Sequence, residues 1–167
     1  MSRPQPHQLA PVPAPFRAFI APHGKSPWHP SAKAVKRVLN PLPAPTVHTC
    51  GKPVEIAHHD QVYGREFSEW PWMYRCKACD ASVGMHPFTG IPLGTLADKA
   101  LRDLRKAAKQ PFEQLWKRAL LSRGDAYAAL ARHLDIEVSA CHFGWFDAER
   151  CAAAKAWAEA FLKKVAR

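Results

Sequence analysis

The spacing of apolar and polar positions changes twice along this chain, near residue 46 and again near Gly94. Between those points it alternates. "KPVEIAHHDQVYG" predicts a strand with Val54 and Ile56 facing one way, and "REFSEWPWMYRC" a return strand rich in aromatics, with the turn near "YGRE". Pro71 disfavours a central sheet position because it has no N–H to give to a ladder. "DASVGMHPF" predicts a short third strand, and Gly84, Gly90 and Gly94 with Pro87 and Pro92 make 84–94 a connector.

After Gly94 the period is helical. Leu96, Leu101, Leu104 and Ala108 fall near one face of 95–109, and Pro111 is expected to break or restart the helix. "PFEQLWKRALL" then turns Phe112, Leu115, Trp116 and Ala119 inward. Ser122 is an N-cap with Asp125 three residues on, opening a helix that carries Tyr127, Leu130 and Leu134 on one stripe. Asp147 caps a last helix over 148–166 that buries Ala154, Trp157, Ala158, Phe161 and Val165.

Before residue 46 there is little period at all. Eleven of the 16 prolines fall in residues 1–45, which favours extended, polyproline-like backbone. "SAKAVKRVLN" is the exception, a short helix capped by Ser31 with Val35, Val38 and Leu39 on one face. Three parts follow: a Pro/Ala-rich basic arm over 1–45, largely disordered when free; a small antiparallel sheet over 46–94; and a helical part over 95–167 packed on it. The fold class is α+β.

Charge adds a partner class. The net charge is +10, and the first 49 residues hold six basic residues and no acid. In the first C-terminal helix Lys99, Arg102, Lys106 and Lys109 are spaced three, four and three, so they form one basic stripe, with Arg105 slightly off the line. An anionic partner fits, nucleic acid above all, with Trp70, Trp72 and Tyr74 as possible stacking surfaces. The competing expectations are a solvated helix face and core aromatics. No apolar run approaches the roughly 18–20 residues of a spanning helix, so no membrane partner is expected.

Five cysteines, an odd number, with no secretory signal in "MSRPQPHQLAPVPAP" point to a reducing cytoplasm and to metal before disulfide. Cys76-Lys77-Ala78-Cys79 presents two thiolates on one turn, which suits Zn2+. In a zinc-ribbon-like sheet the other half comes from the start of the hairpin, where Cys50 is the third ligand. His48 is the leading fourth, against His86, and behind them His58, His59, a remote cysteine or water. Cys141, His142 and Cys151 form a second, weaker cluster for which core packing is the better account. No catalytic motif is present: no His-x-Glu before Pro-Cys-x-x-Cys, no Gly-rich phosphate loop, no nucleophile elbow. The chain is expected not to be an enzyme; the alternative is a metal-dependent one with an open zinc position.

A string of motifs resembles a known family. "CG" at 50–51, "VYG" at 62–64, "CKACDASVGMH" at 76–86 and "PLGTLAD" at 92–98 carry the likeness. So do Arg102, Arg105, "FEQLW" at 112–116, "SRGDAYAAL" at 122–130 and "CHFGWFDAERC" at 141–151. From about residue 46 to 155 the chain resembles the zinc-finger-containing domain family of unknown function found in phages and bacteria. The resemblance implies a pair of zinc knuckles followed by helices, and zinc ligation by Cys50, Cys76 and Cys79. It departs at Val47, where the family pattern has its first cysteine. Phage membership implies action in a host bacterial cytoplasm, with two readings: a nucleic-acid-binding module, or an adaptor or inhibitor acting on a host protein.

Overall fold

The computed structural model describes residues 11–20, 24 and 26–166; the rest of the basic arm, residues 1–10, 21–23 and 25, lies outside the described residues. The chain divides into two compact units, one ending at Leu93 and the other beginning at Gly94. Each has its own architecture, and together they give an α+β protein.

The first unit is a three-stranded antiparallel sheet in the order β1 (Val54–His58), β2 (Trp72–Cys76), β3 (Ser82–Gly84). Val54 faces Cys76, Ile56 faces Tyr74 and His58 faces Trp72, so these six side chains share one face by the two-residue period of a strand. On β2's other edge Met73 faces Gly84 and Arg75 faces Ser82.

The first strand stops earlier than its pattern predicts. His59–Tyr63 is a short helix, α2, because both its ends are closed. His58 Nδ1 accepts the Asp60 N–H, the Gln61 side chain accepts the His58 N–H, and Gly64 takes the left-handed conformation at φ 67°. The return strand is correspondingly shorter, since 65–71 is irregular up to Pro71.

Parts of the arm lie on the sheet. A 3-10 segment, Ala14–Phe19, places Phe16 5.9 Å from the Trp72 ring and Phe19 4.4 Å from the His58 ring. Trp28 meets Trp72 edge-on at 5.5 Å. The helix predicted around residue 31 is one turn, α1 (Ala32–Val35), capped by Ser31, and Leu39 beyond it is 89 % exposed.

The second unit is helical: α3 (Lys99–Lys117), α4 (Arg123–His133) and α5 (Ala148–Val165), with two short 3-10 turns between α4 and α5. Asp98, Ser122 and Asp147 cap the three helices, each accepting a backbone N–H three residues on. Phe112 is the hub of the core, in ring contact with Trp116, Tyr127, Phe143 and Trp157. Ala154 and Ala158 on α5 and Leu130 on α4 are fully buried around it.

Three expectations are corrected here. Pro111 lies inside α3 and does not end it, because Ala108, Phe112 and Leu115 on either side of it are buried and hold the helix to the core. Leu104 is 44 % exposed and belongs to the solvent side. Ala119 and Val165 are exposed too, Ala119 in the turn after α3 at φ 54°.

Candidate metal centre

Two tight turns meet at one end of the sheet. In the first, residues 46–54 fold back on themselves. The Val54 N–H donates to the Thr46 carbonyl, the His48 N–H to the Lys52 carbonyl and the Gly51 N–H to the His48 carbonyl, all at 2.8–2.9 Å. Gly51 completes the reversal at φ 76°. In the second turn Cys76 ends β2, its N–H donating to the Ala81 carbonyl at 2.8 Å. Asp80 sits in the left-handed region at φ 53° and pairs with Arg75. Because Val54 and Cys76 are register partners, both turns occupy the same end.

Four ligand atoms converge there: His48, Cys50, Cys76 and Cys79 offer donors that all lie within 4.8 Å of one another. Cys50 Sγ is 3.6 Å from Cys76 Sγ and 3.7 Å from Cys79 Sγ. His48 Nδ1 is 3.2 Å from both Cys50 Sγ and Cys79 Sγ. A tetrahedral ion with bonds of about 2.3 Å to sulfur needs S···S edges of about 3.8 Å, so the two sulfur edges match a tetrahedron. Three soft sulfurs and one imidazole nitrogen suit Zn2+. The other ring nitrogen of His48, Nε2, lies 3.3 Å from Thr49 Oγ1, an acceptor that would hold its proton and leave Nδ1 free to ligate.

Local hydrogen bonds favour a thiolate at Cys76. Burial pushes the Cys76 thiol up, but hydrogen bonds from Cys79, from the Ala78 N–H, from Cys50 and from the Cys79 N–H outweigh it and leave the group below its ordinary value. The Ala81 N–H draws Cys79 down, yet burial and the crowding of Cys76 and Cys50 raise it on balance. Three thiols this close cannot all lose their protons without a cation among them. Cys76 is buried, whereas Cys50 and Cys79 are exposed.

The other candidates lie elsewhere. The His86 N–H donates to the Ile91 carbonyl, and burial lowers its ring pKa. His58 caps α2 under Phe19, and His59 packs against Tyr63 and Phe67. Cys141 and Cys151 are buried in the helical core, where burial pushes the Cys141 thiol up to about 11. Among the described residues the His48–Cys50–Cys76–Cys79 group is where three or more such donors gather.

The predicted basic stripe lies on α3. Lys99, Arg102, Lys106 and Lys109 are all exposed. Lys99 pairs with Asp103 and Lys109 with Glu113, each four residues on, and Arg102 Nη1 donates to the Ala97 carbonyl at 2.6 Å. Arg105 is internal to the unit: it donates to the Phe146 carbonyl, the Thr95 carbonyl and Thr95 Oγ1. Trp70, Trp72 and Tyr74, expected as possible stacking surfaces, are buried; the Trp70 indole donates to the Thr89 carbonyl and the Tyr74 hydroxyl to the Gly90 carbonyl. An aromatic group that the strand reading of 52–64 hid is exposed instead. Tyr63 and Phe67 meet edge-on at 5.1 Å, with the Arg65 guanidinium 4.5 Å over Phe67.

No helix among the described residues is long and apolar enough to cross a membrane. No curated protein and no solved structure matches the chain significantly. The family comparison does match: residues 45–160 fit the model of a zinc-finger-containing domain, a span that holds all four converging ligands, α3, α4 and most of α5, and the chain belongs to that family.

Proposed function

We propose that the chain is a small zinc protein in which His48, Cys50, Cys76 and Cys79 hold one structural Zn2+ and the basic face of α3 binds nucleic acid. The observation that carries the metal is the convergence of the four donors from two turns 26 residues apart in sequence. Bound there, zinc would supply the cross-link that so small a sheet lacks. Four protein donors leave no position for a water, so we read the protein as a binding module and not as a metal-dependent enzyme. The thiolates need a reducing compartment, which agrees with action in a cytoplasm, a host's if the chain is of phage origin.

Metal analysis of the purified chain should find about one zinc per molecule. Cobalt substitution should give the visible spectrum of a tetrahedral cysteine–histidine site. Absence of both would sink the metal reading.

Nucleic-acid binding is supported by exposed cations at helical spacing on α3, outnumbering the acids Asp103 and Glu113. Since Arg102 also bonds within the fold, the cleaner test changes Lys99, Lys106 and Lys109 to Gln. Affinity for DNA or RNA should fall for all sequences, and the salt slope should flatten by about one unit per lost phosphate contact. Unchanged affinity and slope would remove α3 as a phosphate track. The exposed Tyr63–Phe67–Arg65 group favours a second reading, an adaptor or inhibitor docking on a host protein, since aromatic and arginine side chains anchor such interfaces.

A further inference from the structure

The aromatic face of the sheet is closed by a cover that is weakly attached. Ala14–Phe19 contributes no fully buried residue, and Phe16 and Phe19 are half-buried. Among the described residues its hydrogen bonds are local: the Phe16 N–H donates to the Pro13 carbonyl and Arg17 Nε to the Val12 carbonyl. What it offers the sheet is two rings, Phe16 on Trp72 and on Trp28 (5.9 and 5.0 Å) and Phe19 stacked on His58 at 4.4 Å. Two half-buried rings are little to set against the entropy of ordering a six-residue segment.

Beneath that cover lie a fully buried Trp72 and a fully buried His58, 4.9 Å apart and edge to face. Among the described residues Trp72 Nε1 makes no hydrogen bond, and His58 Nε2 meets only the exposed Glu66 carboxylate, 3.4 Å away. His58 Nδ1 accepts the Asp60 N–H, so in the neutral ring Nε2 bears the proton. The face therefore presents one N–H donor without an acceptor among the described residues, Trp72 Nε1, an uncommon state for a group so deeply buried, and a second, His58 Nε2, held only by a long contact to an exposed carboxylate. Glu66, 3.4 Å from His58 Nε2 and largely exposed, repels a phosphate at that edge.

We infer that Ala14–Phe19 is a displaceable strap over a nucleobase-binding face, and that single-stranded nucleic acid takes its place on Trp72 and His58. A base is planar and carries carbonyl and ring-nitrogen acceptors. One base can stack on His58 where Phe19 stacks, and a neighbouring base in Phe16's place can accept the Trp72 N–H that is left unmet. A duplex keeps its bases stacked on each other and cannot enter. The inference rests on the nucleic-acid reading above and adds to it the form of the ligand and a second contact surface.

The test uses the full zinc-loaded chain with fluorescently labelled oligothymidine and a duplex of equal length. Phe16→Ala/Phe19→Ala should bind the single strand about tenfold more tightly if the strap is closed in about nine molecules of ten, with the duplex unchanged. In the unaltered chain, tryptic cleavage after Arg17, followed by mass spectrometry, should quicken when oligothymidine is added. Equal or weaker single-strand binding by the variant, or slower cleavage at Arg17, overturns the strap while salt-dependent binding through α3 leaves the broader reading standing. If neither chain binds either oligonucleotide at low salt, both fall.

Discussion

Two glycines separate two ways in which one methyl group does harm. Gly51 is at φ 76° with nothing within 4 Å of where a Cβ would be, so Gly51→Ala isolates backbone strain. The expected loss is about 1–2 kcal/mol by denaturant titration, accompanied by weaker zinc retention because the turn carries His48 and Cys50. At Gly94 the space is closed: a Cβ would stand 2.3 Å from the Gly144 carbonyl oxygen. Gly94→Ala should cost more, about 2–3 kcal/mol, since the obstacle is backbone. His58 makes a pH prediction. Burial lowers its pKa, against the opposing pull of Glu66 and Asp60. Below the ordinary value of 6.5 the unfolded chain therefore binds the proton first. Stability associated with His58 is complete above that pH and is lost as pH falls through and below it. Thermal melts of the wild type and His58→Gln should converge in relative stability as the pH is lowered from 7.5 towards about 5.5; parallel curves would dismiss the effect.

At the scale of elements, the three long helices were legible because their caps and periods are local. Ser122–Asp125 and Asp147 announce themselves in sequence and cap as expected. Pro111 misled because proline's cost is local while the burial of Phe112 and Leu115 that overrides it is tertiary. Restoring the missing N–H should help: Pro111→Ala is expected to stabilise the helical unit by about 1–3 kcal/mol, read as a higher melting temperature. A lower one would mean that α3 is fitted to the proline. The short α2 escaped notice for a different reason. Its N-cap is a histidine, outside the usual Ser, Thr, Asp and Asn, so the reciprocal His58–Gln61 cap carries no familiar sequence mark. At the metal centre the Cys76–Cys79 half was readable from its spacing, and Cys50 from its place at the hairpin's start. Choosing His48 over His86 depended on how residues 46–54 fold back, which only the hydrogen bonds of that turn specify.

For the whole molecule, the two units draw on different sources of stability. The helical unit rests on a dozen mutually packed buried residues, whereas the sheet unit packs three short strands around Trp70, Trp72 and Tyr74 and adds the cysteine–histidine cluster. Chelation should therefore collapse the near-ultraviolet signal of the sheet's tryptophans and leave most of the helical far-ultraviolet signal intact. Loss of both together would show that the helices depend on the metal. The uneven exposure of the thiols has a further consequence, for chemical reactivity. Alkylating agents reach sulfur only where it is accessible, and Cys50 and Cys79 are exposed while Cys76, Cys141 and Cys151 are buried. Protein stripped of metal should thus be alkylated first at Cys50 and Cys79 and, once its sheet collapses, at Cys76, while Cys141 and Cys151 stay protected in the helical core, and a bound ion should suppress all three adducts. The count of adducts on intact protein becomes a direct gauge of how many molecules carry metal, with no assay of function required.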